Sequence, residues 1–134
     1  MNSRSEAIKY QLQMAHQLLY DAEILLEHGG YNSAISRLYY ACFHATTALL
    51  QSRGLTAKTH NGLLAVLNKE FVLKGEFDPS QASFFSRLLR ERLDGDYGKY
   101  LIIDKDEVMV NLKPTKEYIT YIEILLQQHE PNQQ

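Results

Sequence analysis

A chain of 134 residues, 45% hydrophobic and 22% charged, can bury a core without disulfides or metals, which excludes a disordered polypeptide. A net charge of −2 and a pI of about 6.2 exclude a globally basic nucleic-acid footprint, so contact with RNA requires a local patch. One cysteine, Cys42, excludes an internal disulfide, and the absence of a signal peptide or an apolar run of about 18 residues predicts a cytoplasmic protein without a membrane anchor.

Glycine and proline are scarce, and apolar residues recur at three- and four-residue spacing, which predicts an all-α fold. The expected unit is a single domain over 1–134 with its core in about 5–128, built as an antiparallel bundle of four to five helices. The first helix is expected from Ser5, as its cap, to His28, with Ile8, Leu12, Ala15, Leu18, Leu19, Ala22, Leu25 and Leu26 on its inward face. Gly29-Gly30 ends it, and so short a link makes the next helix an antiparallel neighbour.

That second helix, from about Tyr31 to Arg53, is the centre of the pattern. Ala34, Ile35, Leu38, Tyr39, Ala41, Cys42, Phe43, Ala45, Thr46, Ala48, Leu49 and Leu50 fill an arc of roughly 220° on the helical wheel. Such an arc packs on two or three sides, and its breadth predicts surplus apolar surface for a second copy of the chain. Cys42 lies inside the arc and reads as a small buried side chain. The narrow remainder holds Ser36, Arg37, Tyr40, His44, Thr47 and Gln51.

The polar connector Leu55–Gly62 follows, with Thr59 as the cap of a third helix over about Asn61–Leu73. Asp78-Pro79 is a strong start signal for a fourth helix, because proline at the first position gives up no helical hydrogen bond. Phe84, Phe85, Leu88, Leu89 and Leu93 form its inward stripe, and Gly95 and Gly98 mark its end. Tyr100–Ile103 reads as an extended linker. A last helix keeps a stripe through Val108, Leu112, Ile119, Ile122 and Leu126, with a kink or restart near Lys113 because Pro114 lacks a donor. The tail from His129 is expected to be loose.

Three polar groupings exceed what a core requires. Arg37, Tyr40 and His44 stand at i, i+3 and i+7, one face that either binds a phosphate-like anion or fixes a neighbouring helix. Arg92 and Asp96, at i and i+4, extend the apolar stripe of the fourth helix into a charged pair, which at its plainest is an ion pair ending the helix. Lys58-Thr59-His60 places a histidine in a loop. No HxxxH, HExxH or CxxC spacing is present, so neither metal nor cofactor is expected.

The stretch AISRLYYACFHATTALL, the loop KTH and then RERLDGDYG resemble the HEPN domain (higher eukaryotes and prokaryotes nucleotide-binding). The resemblance is to its stand-alone prokaryotic branch, with S-R-x-Y-Y-A-x-F-H matched at Ser36, Arg37, Tyr39, Tyr40, Ala41, Phe43 and His44, and R-x-x-x-D-Y at Arg92, Asp96 and Tyr97. It implies a helical bundle that forms a homodimer, and a toxin–antitoxin pairing with a minimal nucleotidyltransferase. It also implies a metal-independent endoribonuclease whose signature is arginine, four to six residues, then histidine. Here Asp96-Tyr97 occupies the place of that histidine. On this resemblance Arg92, Asp96, Tyr97 and His44 are the candidate catalytic residues, and Arg37, Tyr40, Lys58 and His60 the candidate RNA- or nucleotide-binding residues. Arg92 suits the phosphate charge; Asp96 with an ordinary pKa is a poor general acid, which leaves proton transfer to His44 or Tyr97. The seam Arg37–Tyr40–His44 is then expected to face Arg92, Asp96 and Tyr97 across the bundle. The alternative is a non-catalytic subunit that binds a nucleotide or docks the nucleotidyltransferase.

Overall fold

Five α-helices make up the described part of the computed structural model, residues 3–96 and 102–128, with side chains given outside 93–96. They are α1 (Ser3–Glu27), α2 (Tyr31–Gln51), α3 (His60–Leu67), α4 (Pro79–Asp96) and α5 (Lys105–Gln128), and α3 runs on through a π-helical turn, Asn68–Val72. Among the described residues there is no strand, and no helix is long and apolar enough to cross a membrane.

The start signals act as the local chemistry requires. Gly29, at φ 81°, takes the left-handed conformation that closes α1. Thr59 is extended, and its hydroxyl oxygen accepts from Gly62 N at 2.8 Å, capping α3. A Cβ at Gly62 would stand 2.8 Å from that same oxygen, so the cap depends on a glycine there. Asp78 Oδ1 accepts from Ser80 N at 2.9 Å, with Pro79 as the first residue of α4. Ser5, expected as a cap, lies within the first turn instead, because α1 already includes Ser3.

Side-chain links set the helix directions. Gln11 of α1 meets His44 of α2, making an antiparallel hairpin. The pairs His16–Glu123 (2.9 Å) and Lys116–Glu23 (3.1 Å) run α5 antiparallel to α1. Asp78 N donates to Tyr121 Oη at 2.8 Å and Asn111 Nδ2 to Glu91 Oε2 at 3.4 Å, which runs α4 antiparallel to α5. In the middle stands α2, packed on α1, α5, α4 and α3.

The apolar arc of α2 is buried throughout, apart from a half-buried Phe43. Each large aliphatic side chain taken from water there contributes about 1.5–3 kcal/mol. The arc is thus consumed within one chain, and the surplus surface expected on it for a second copy is absent, because four neighbours cover it. Thr46 resolves the polar exception: its hydroxyl donates to Cys42 O at 2.7 Å and meets Tyr118 Oη at 2.6 Å, so both buried oxygens are satisfied. Cys42 is fully buried, and burial pushes its thiol far above the ordinary range, as an inert core residue requires.

Of the kink or restart expected near Lys113, the restart is absent: α5 runs through Pro114 without a break. The carbonyl that Pro114 leaves without a donor belongs to Val110, a residue 64% exposed, where water can serve in its place. On the inner face Asn111 Nδ2 donates to Glu107 O and Thr115 Oγ1 to Asn111 O, both at 2.8 Å, tying successive turns together. Of the expected linker, Ile102 and Ile103 are irregular; Tyr100 and Leu101 lie outside the described residues, as do Gly98 and the tail from His129.

Candidate functional site

Adjacent tyrosines on α2 point about 100° apart and serve different ends. Tyr39 is fully buried, its ring stacked on Phe85 of α4 at 5.6 Å between centroids and 15° between planes. Tyr40 is half-buried and stands edge-on to Tyr39 at 5.1 Å. Together they form an aromatic floor between α3 and α4.

Arg92 reaches this floor from α4. Its Cζ lies 4.7 Å from the Tyr40 ring centroid and 5.3 Å from that of Tyr39, and its Nη2 donates to Tyr40 Oη at 2.8 Å. Guanidinium over an aromatic face gains from the ring quadrupole while its planar donors stay aligned. His60 reaches the same floor from the first turn of α3, held there by the Thr59 cap. Its Nδ1 is 2.5 Å from Tyr39 Oη, and its ring lies 5.0 Å from Phe43 and 5.9 Å from Tyr40.

The seam expected to run as one surface divides. Tyr40 faces Arg92, whereas His44, one turn on and 40° round the helix, turns to α1, where Gln11 Oε1 accepts from its Nδ1 at 2.6 Å. Arg37 is exposed one turn before Tyr40, and Lys58 is exposed in the connector just before His60. Asp96 is the last residue of α4, one turn beyond Arg92; its side chain lies outside the described residues, as does all of Tyr97, and so does the expected Arg92–Asp96 pair. The histidine on the Arg92 floor is therefore His60, which sequence reasoning placed among binding residues rather than beside the arginine. Tyr39 is expected on the apolar arc and in the first motif, with no role of its own at the site. The signal that a second role existed is chemical: a buried phenol needs a hydrogen-bond partner. Among the described residues no group of three or more His, Cys, Asp or Glu side chains could hold a metal ion.

Electrostatically the site disfavours the charged forms of Tyr39 and His60. Burial raises the Tyr39 phenol well above its usual value, although the Arg92 charge opposes this. His60 is held below the ordinary imidazole value by burial and by the Arg92 charge, and His44 by burial. The unfolded chain protonates both histidines near 6.5, whereas the folded chain does so only at lower pH. The unfolded state therefore binds more protons in between. Stability should fall as pH drops from about 6.5 through the folded values and level off below them. Urea midpoints at pH 7.5, 6.5 and 5.5 check this: the wild type should lose stability over that range, and an H44Q/H60Q double variant should lose less. Glu70 is shifted downward from 4.5 and acts below this window; Glu107 is shifted upward by burial, but it is common to the wild type and the double variant and drops out of their comparison.

A family model described as the HEPN domain matches residues 8–125. A Thermotoga maritima protein named UPF0332 is 33% identical over 127 residues, covering 95% of this chain and 96% of the relative. A Methanocaldococcus jannaschii protein carrying the name "Putative toxin" is 29% identical over 121 residues, covering 85% of this chain and 82% of the relative. The crystal structure of TT1696 from Thermus thermophilus shares the fold, with a TM-score of 0.75 over 89% of this chain and 98% of that one at 20% identity.

Proposed function

The chain belongs to the HEPN family, and on that premise we propose that it is a toxin acting on RNA as a metal-independent endoribonuclease. One observation carries the reading: an arginine from α4 and a histidine from α3, whose charging burial disfavours, converge on one aromatic floor, of which Tyr40 is half-buried and Tyr39 fully buried. Such a floor can stack a base, and the guanidinium beside it can take a phosphate in a bidentate fork.

In the reaction the 2′-oxygen attacks the adjacent phosphorus and the P–O5′ bond breaks. The products are a 2′,3′-cyclic phosphate and a 5′-hydroxyl end. The proton lost by the 2′-hydroxyl is matched by one gained by the 5′-oxygen, so no co-reactant is consumed. Arg92 offsets the negative charge that grows on the phosphorane. Tyr40 and His60 hold the phosphate, with Arg37 and Lys58 as cations on the rim. Asp96 and Tyr97, four and five residues beyond Arg92 in the chain, are the candidates for proton transfer; His44 lies on the α1 side of α2. The chain acts as a homodimer, with a minimal nucleotidyltransferase as its antitoxin. Exposed Ile102, just before α5, and exposed Met109 and Val110 in its first turns favour association.

Incubating purified protein with a mixed RNA pool in EDTA tests the reaction, with the new ends mapped for cyclic phosphate. Cleavage that needs a divalent cation, or ends of another chemistry, overturns it. RNA that is bound but left intact would favour the non-catalytic reading, which the engagement of Arg92 by Tyr40 also suits.

A further inference from the structure

The hydrogen bond between Tyr39 and His60 does more than anchor a loop. A phenol and an imidazole nitrogen 2.5 Å apart share one proton between them, and the environment decides whose it is. Tyr39 is fully buried, and among the described residues its hydroxyl has this one hydrogen-bond partner. If His60 Nδ1 donated, the Tyr39 O–H would point into the core with no acceptor, and a buried orphan donor is costly. If Tyr39 donates, both atoms are satisfied. His60 Nδ1 is then the acceptor, and the proton of the neutral ring sits on Nε2, on the side of the imidazole away from the buried phenol.

We propose that Tyr39 is a positioning residue that holds His60 in its Nε2–H tautomer, so that His60 and Arg92 present fixed N–H donors to one phosphodiester. His60 thus acts as a neutral donor and not as a proton shuttle. Its Nε2 has no free lone pair to act as a base, and neutral imidazole is a weak acid. Burial supports the assignment twice over, by keeping the phenol protonated and the imidazole uncharged; Arg92 opposes the first and reinforces the second. A neutral imidazole donor preserves the fit to an anion without the cost of placing a second full positive charge beside Arg92. Tyr40, whose hydroxyl already accepts from Arg92, orients the guanidinium as Tyr39 orients the imidazole. Two neighbouring positions on one helix thereby preset two donors carried by two other helices.

The tautomer is a property of the chain itself, whereas its use rests on the reading of this floor as an RNA phosphate site. Nitrogen-15 NMR of the imidazoles at pH 7.5 separates the two. In the wild type His60 should show a protonated Nε2 and a bare Nδ1. Tyr39→Phe, which removes only the hydroxyl, should release His60 into a mixture of tautomers. A 2′-O-methyl oligonucleotide, which cannot cleave itself, should shift the Nε2–H resonance, and Tyr39→Phe should weaken its binding about fivefold. A proton found on Nδ1 in the wild type overturns the proposal, and does so whether or not the variant folds. An unchanged tautomer ratio in Tyr39→Phe overturns the role of Tyr39. A correct tautomer whose Nε2–H ignores the oligonucleotide overturns the phosphate role and the RNA reading with it. An Nε2–H that responds to the oligonucleotide while RNA stays uncut overturns catalysis alone and upholds the donor pair.

Discussion

On the proposed endoribonuclease reading, Arg92→Lys should lower RNA cleavage by roughly 10²–10³-fold, although the charge is kept. Lysine is a point charge on a flexible stem. It cannot lie flat over the Tyr40 ring at 4.7 Å, bond Tyr40 Oη and still offer two parallel donors to a phosphate. The loss should fall on kcat more than on KM, because the charge Arg92 meets is greatest in the phosphorane. Initial rates on a single RNA substrate, read beside the melting temperatures of both proteins, check this. A variant within tenfold of wild type would show that Arg92 supplies charge alone, and would remove the oriented fork from the mechanism. A variant that also stops growth arrest when expressed would tie the same atom to toxicity.

Phe85→Ala is the most damaging single change expected in the core, at about 3–5 kcal/mol. Phe85 is fully buried, stacked on Tyr39 and tilted against Tyr118 at 5.5 Å, so its removal opens a cavity between α2, α4 and α5. On a chain of this size the loss corresponds to a fall in melting temperature of roughly 10–20 °C. Urea unfolding with an unchanged slope and a lowered midpoint measures it. The effect should reach the site as well. Without Phe85 the Tyr39 ring loses its support, and the tautomer ratio of His60 should shift in the part of the population still folded. Phe85→Leu, which fills most of the space, should restore the larger share of both.

Much of the architecture was legible because it is written in local chemistry. The arc on α2, the Thr59 cap, the Asp78-Pro79 start and the Gly29 stop all follow from spacing or from a single residue's backbone preference, and neighbours in sequence suffice to read them. The restart expected at Pro114 is absent for the complementary reason. The rule that proline breaks a helix treats the orphaned carbonyl as costly, but its cost depends on whether that carbonyl meets water or the core. Val110 lies on the outer face, and the inner face of α5 is held by Asn111 and Thr115.

The sequence alone determined that this chain is an all-helical HEPN-type bundle around α2, and that Arg92 and Tyr40 belong to its polar exceptions. Only the tertiary structure decided which histidine joins them. His44 shares a helix face with Tyr40, yet the α1–α2 hairpin brings Gln11 to it. His60 is twenty positions from Tyr40 and thirty-two from Arg92 in the chain, yet the turn into α3 sets it on their floor. Helical periodicity reports which residues share a face; it carries no information about which element covers that face. The hydrogen bond between Tyr39 and His60 depends on that covering, because a buried phenol needs a partner and His60 Nδ1 is the one it has among the described residues.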